Sequence, residues 1–207
     1  MMNFVLALTI HASENKPFEL NLISGVNVGW WGHNKGKDPA GKNIGWSRSR
    51  TNPKMPFEIQ FWHQLPKKIA LGISADYSIF TTDYLVDSES TRQRSKTVDF
   101  SEEEYVTLWS AKLMGRYALL QNKKIQLGPM LGLGYGNTLS THPDQSRFKK
   151  NIAYTAGFYV NWNFHEHFAM VFQPNYEVLQ IFPEQRNPGE QHRLSFFGVK
   201  LGLAWRI

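Results

Sequence analysis

The chain contains no cysteine in its 207 residues. Disulfides, thiolate metal sites and cysteine nucleophiles are therefore excluded. It also lacks any run approaching the roughly 18 apolar residues of a spanning helix, which excludes a helical membrane anchor. Acidic residues are the minority, 17 against 23 Lys and Arg, leaving a formal net charge of +6. Such a balance favours anionic surfaces, among them lipopolysaccharide, phospholipid headgroups and nucleic acid. No shift of composition marks a linker, so one domain is expected.

What the chain does have is aromatic residues, with seven Trp and fourteen Phe, and a persistent period of two. In the closing stretch, Phe197, Val199, Leu201, Leu203, Trp205 and Ile207 alternate with Gly198, Lys200, Gly202, Ala204 and Arg206. This is a β-strand with two unlike faces, and it needs a partner strand to cover its edge. The same pattern predicts strands at Pro17–Trp31, Lys54–Leu65, Lys68–Tyr84, Glu104–Gln121, Lys124–Leu139, a sixth around Ile152–Trp162, Phe168–Phe182 and the closing stretch from Arg193. Short turns are expected at Pro66-Lys67, Asn122-Lys123 and His165-Glu166-His167, and long polar loops over 32–53, 85–103, 140–149 and 183–190.

Long loop and short turn alternate strictly. In an up-and-down barrel this rotation sends every long loop to one end, and every turn and both termini to the other. The expectation is an all-β fold, an eight-stranded antiparallel up-and-down transmembrane β-barrel occupying residues 17–207. On this architecture, and on the closing L-G-L-A-W-R-I, the chain resembles the small eight-stranded bacterial outer-membrane barrels of the OmpA/OmpX type and the outer membrane protein beta-barrel domain family. The resemblance implies a Gram-negative outer-membrane location, periplasmic turns and termini, extracellular loops, and a final aromatic residue, from which this chain departs with Ile207 last and its aromatic at Trp205. Residues 1–16 read as a signal-peptide remnant or an N-terminal extension, because Asn3–Ile10 is apolar and His11-Ala12-Ser13 resembles a cleavage site.

A period of two does not say which face is outside, since a soluble lipocalin-like carrier alternates with its apolar face inward. Glycine decides for lipid outside. Gly25, Gly29, Gly72, Gly128, Gly132, Gly134, Gly136, Gly157, Gly198 and Gly202 share the polar face, with Gly115 the exception. A solvated face would use larger polar residues, whereas a narrow interior needs small ones. Trp30, Trp109, Trp162 and Trp205 stand on the apolar face toward strand ends, where interfacial rings belong. Pro129 and Pro174 fall inside strands of a barrel without free edges, so each calls for a β-bulge or a local opening.

The inward face carries four acids (Glu19, Glu58, Asp76, Glu177) and four bases (Lys112, Arg116, Lys200, Arg206). Buried charges require partners, so a neutralised plug rather than a wide pore is expected. Lys35, Lys37, Lys42, Arg48, Arg50 and Lys54 cluster in the first loop and Arg92, Arg94 and Lys96 in the second. Such loops suit contact with lipopolysaccharide phosphates.

Enzymatic readings are weaker. A lipid A deacylase would need a His-x-Ser pair on a late strand, where Gln173-Pro174-Asn175-Tyr176 stands instead, and His192 and Ser195 are wrongly spaced. A palmitoyl transferase would use a loop His with an Asp-Ser pair; His33, Asp76 and Ser78 are present without anything to join them. His165-Glu166-His167 lacks an evident third metal ligand. The expectation is a non-enzymatic barrel without cofactor or metal, structural, adhesive or a complex subunit. Its partners would be outer-membrane lipid, lipopolysaccharide and other envelope proteins, not nucleic acid. A lipid A-modifying enzyme is the second reading and a lipocalin-like carrier the third.

Overall fold

A computed structural model describes residues 17–34, 36–37, 40–42, 46–83, 105–140, 148–183 and 191–207. Nine strands follow one another: β1 (Phe18–Asn34), β2 (Trp46–Gln64), β3 (Ile69–Asp83), β4 (Tyr105–Tyr117), β5 (Leu120–Gln121), β6 (Ile125–Ser140), β7 (Phe148–Asn163), β8 (Phe168–Pro183) and β9 (Gln191–Arg206). All neighbours pair antiparallel, in the order β4-β3-β2-β1-β9-β8-β7-β6, and β4 closes the circle on β6. The two-residue β5 continues β4 along β6, so the closed barrel has eight staves. The expected partner of the last strand is the first: β1 and β9 pair without interruption from Glu19↔Arg206 to Asn34↔Gln191.

Two strands outrun their apolar patterns. β1 continues to Asn34 and β2 begins at Trp46, so both ends of the expected loop 32–53 are paired strand, with Trp30↔Arg50 and Gly32↔Arg48 in register. The ladder there requires only backbone groups, and polar side chains extend it where a lipid-facing pattern is not demanded. Pro53, which cannot donate to a ladder, falls where the β1–β2 and β2–β3 registers both shift. The predicted fourth strand is broken instead of continuous. Ala118 and Leu119 form a bulge between β4 and β5, at the level where Pro129 of β6 has no N–H to give. On the other side, Pro129 stays in register with Phe158. At Pro174 the β7–β8 pairs lapse between Gly157↔Asn175 and Val160↔Phe172 without a register shift, a local opening.

The barrel is apolar outside and charged within. Leu113 (72% exposed), Met55 (70%) and Leu131 (64%) belong to an outer belt that includes Trp30, Trp162 and Trp205, while Lys200, Glu58 and Gln173 are fully buried. Interior space is made by pairing small against large. Gly25 faces Lys200 across the β1–β9 seam and Gly134 faces Lys112 across β4–β6. A Cβ on Gly25 would come 2.7 Å from Lys200 Cα, and one on Gly134 would come 2.6 Å from Lys112 Cα. Backbone cannot yield as a side-chain tip would.

Apolar side chains also point inward, which the alternation did not announce. Phe80, Leu108, Ala153, Leu179, Ile181, Leu194 and Phe196 pack together toward the long-loop end. Trp62, Ala70, Met114, Met130 and Tyr159 pack toward the turn end. The charges lie between and among these two clusters. At the turn end, Lys67 (φ 64°) and Lys68 (φ 66°) both adopt the left-handed conformation, at a cost of roughly 1 kcal/mol each for a residue with a Cβ. Asn122 caps the next turn by accepting from Lys124 N (2.9 Å) and Ile125 N (2.7 Å).

Candidate functional site in the barrel interior

Two ionic knots fill the barrel. Toward the turn end, Glu19 of β1 accepts from Arg116 Nη1 of β4 (2.8 Å) and from Arg206 Nε of β9 (3.0 Å). Asn161 Nδ2 adds a third donor at 3.2 Å. The Arg116 guanidinium lies over two rings, 4.4 Å from the Trp62 centroid and 4.9 Å from that of Tyr159, so two aromatic faces attract this delocalised cation.

Nearer the middle, Glu177 of β8 is the hub of a larger knot. Its Oε1 accepts from Lys200 Nζ and lies 3.8 Å from Lys112 Nζ, while its Oε2 accepts from Lys54 Nζ at 3.3 Å. Asn27 and Asn175 complete its shell at 3.2 and 3.1 Å. Lys200 also reaches Glu58 Oε2 (2.5 Å), and Lys112 donates to Asp76 Oδ2 (2.5 Å), which Ser110 Oγ bonds as well. Three carboxylates thus face three ammonium groups, and the group is neutral.

Amides join the knots. Gln60 Nε2 donates to Glu58 Oε1 (2.9 Å), its Oε1 accepts from Trp62 Nε1 (3.0 Å), and it pairs with Gln173 across the lumen. Asn21, with its amide turned to satisfy both neighbours, donates to Glu19 Oε1 (3.1 Å) and accepts from Trp62 Nε1 (3.3 Å). Hydrogen bonds, with one ion-pair link of 3.8 Å between Glu177 and Lys112, therefore connect Arg206 at one end to Ser110 nearer the other.

All eight residues named from the alternation, Glu19, Glu58, Asp76, Lys112, Arg116, Glu177, Lys200 and Arg206, lie in these two knots, each acid within ion-pair distance of a base. The sequence reading missed Lys54, which it grouped with the basic loop although it shares inward parity with Glu58. It also missed Ser110, Gln60 and Asn161, uncharged residues whose type gives no signal. Among the basic loop residues, Lys37 and Lys42 are exposed. Arg48 and Arg50 belong to β2, and nothing is described of their side chains. Lys35, Arg92, Arg94 and Lys96 lie outside the described residues.

One small cavity lies among the described residues of the interior. With a volume of about 20 Å³, it sits beneath Leu108, Leu179 and Phe196, with Lys54, Asp76, Ser110, Lys112 and Glu177 beside it. That is room for about one water, not for an acyl chain. Ser110 touches Lys112 (3.0 Å), but this ammonium is held by carboxylates and is no base for a hydroxyl. His33 is carried by β1, between β2 and β9, a full strand away from Asp76 and Ser78 on β3. Ser195 is buried opposite Val178, and His192 pairs with Ile181. Among the described residues no three His, Cys, Asp or Glu side chains form a metal-holding group; the His165 and His167 rings stack on each other at 5.7 Å.

No family model matches the chain, and no curated protein does. Solved structures do match. The outer membrane protein OprG from Pseudomonas aeruginosa aligns with a TM-score of 0.52 at 12% identity, over 92% of this chain and 96% of that one. The outer membrane protease OmpT from Escherichia coli (12% identity, 92% and 97% covered) and Neisserial surface protein A (9% identity, 92% and 97% covered) align with TM-scores of 0.48, too low to carry an argument. At these identities the likeness concerns the backbone alone, and the chain has the closed antiparallel barrel fold seen in the outer-membrane protein OprG.

Proposed function

We propose that the protein is an integral β-barrel of a bacterial outer membrane with a non-enzymatic role, as a structural element, adhesion module or subunit of an envelope complex. The observation that carries this reading is the inversion of the molecule: large apolar side chains are exposed around the outer wall while charges are buried within. Only a hydrocarbon solvent makes that distribution favourable, since the belt would aggregate in water. The filled lumen supports a plug over a general porin, and the one-water cavity argues against a lipid A-modifying site and against a lipocalin-like carrier.

In this reading the turns and both termini face the periplasm, the long connections face outward, and residues 1–16 serve as a signal segment. Lys35, Lys37, Lys42, Arg48, Arg50, Arg92, Arg94 and Lys96 then stand where lipopolysaccharide phosphates would be met. The test is to fold the protein into detergent micelles and planar bilayers. Migration in a detergent gel should change on boiling, bilayers should show no porin-sized conductance, and lipid A incubated with the protein should neither lose nor gain acyl chains. A water-soluble monomer, a large steady pore or acyl-chain turnover would each overturn the reading.

A further inference from the structure

The four lysines of two adjacent turns have no part in the interior and lie together at the turn end. Lys67 and Lys68 connect β2 to β3; Lys123 and Lys124 connect β5 to β6; all four are exposed. The turns are neighbours on the rim, since Lys68 O accepts from Ala118 N (2.8 Å) at the bulge that leads into β5. The second turn is tied down on its far side, where Lys124 O accepts from Asn163 N (2.7 Å) and Lys123 O from Asn163 Nδ2 (3.0 Å). The backbone is thus fastened to the wall, and the ammonium groups project from a fixed rim. None of the four has an ion-pair partner among the described residues. The only acid in the described turns is Glu166, which lies with His167 on the β7–β8 turn.

Two further observations give these charges a direction. Just inside the lysines runs a rim of exposed apolar side chains, Tyr117, Leu119, Leu120, Trp162, Phe164 and Phe168, the residue types that settle at a membrane interface. The lysines therefore sit one step beyond the hydrocarbon, at headgroup depth, where long stems let the charge reach polar groups. The second observation is the conformation of Lys67 and Lys68. Consecutive left-handed residues are a demand that Gly or Asn meets with less strain, and a strained turn kept with two lysines has its charge as the compensating gain.

We infer that this rim binds the anionic headgroups of phospholipids in the leaflet that meets the turn end, holding the barrel at a set depth. The inference rests on the membrane reading above. It is tested by reconstituting the full chain in phosphatidylcholine vesicles containing trace spin-labelled phosphatidylglycerol or spin-labelled phosphatidylcholine, and measuring the motionally restricted fraction of each label. Phosphatidylglycerol should be favoured roughly fivefold at low salt, and the preference should fall as salt screens it. The variant K67N/K68G/K123Q/K124Q keeps residues suited to the left-handed turn and should show no preference while still folding. Restricted lipid with no headgroup preference in the wild type, or a preference retained by the variant, would overturn this inference alone. So would lysine-dependent co-sedimentation with peptidoglycan in the absence of headgroup preference. No restricted lipid of either kind would overturn the membrane reading and this inference with it.

Discussion

The two knots inside the barrel solve the same problem with different chemistry. At Glu19 one carboxylate serves two guanidiniums, and flat aromatic faces take up the surplus positive charge. At Glu177 three carboxylates and three ammonium groups share one another, and amides fill the remaining positions. The first arrangement depends on shape, because a guanidinium binds in a fixed plane; the second depends on charge count, because an ammonium is a compact point charge on a flexible stem. Arg206 also keeps contact with the outside, its side chain being 18% exposed against 1% for Lys200. The middle knot should therefore be the more sensitive of the two to loss of charge, and the knot at the end the more sensitive to a conservative change of geometry.

The harshest way to break this contrast is Glu177→Gln. It leaves three buried ammonium groups around a neutral amide, and unfolding by urea in micelles should show a loss of about 4 kcal/mol. Glu19→Gln removes the other hub, but water reaches Arg206 and the rings still hold Arg116, so the loss should be smaller, about 3 kcal/mol in the same titration. If the two losses proved equal, burial and not charge count would be the common cause. A double-mutant cycle of Glu58→Gln and Lys200→Gln sharpens the point. Each single change strands a charge, the pair does not, and the coupling energy should be about 2 kcal/mol. The mildest change is Arg116→Lys, which keeps the charge and loses the planar stack, for about 1 kcal/mol. The matching Lys112→Arg keeps charge in the middle knot and should cost less than that in the same titration if shape matters little there.

Much of this interior could be read before any coordinates, because lipid imposes its pattern residue by residue. Where the outer wall must be apolar, as at Phe197, Val199 and Leu201, every intervening position is marked as interior, and Lys200 or Glu177 is then a buried charge in need of a partner. Beyond the belt that demand ceases. The residues from Trp46 to Thr51 read as loop because no apolar alternation in their sequence requires the strand that their backbone forms. Lys54 reads with the basic loop for the same reason, because it stands just past the register irregularity at Asn52 and Pro53. The inward Phe80, Leu108, Leu194 and Phe196 were hidden for the complementary reason: near the loop end both faces carry apolar residues, so alternation no longer distinguishes them. The partnership of Gln60 with Gln173 depends on the stagger between distant staves, which no local pattern encodes.

The wide sequence separation of the ion pairs has a bearing on assembly. Glu19 and Arg206 come from opposite ends of the chain, and Glu58 meets Lys200, Lys54 meets Glu177 and Arg116 meets Glu19 only after the sheet has curled upon itself. An unfinished sheet of the first four or the last four staves would carry orphaned charges into hydrocarbon. Charge pairing is thus a property of the finished cylinder, and the penalty on stranded charges in partial sheets favours joining of the first and last strands before the wall is desolvated.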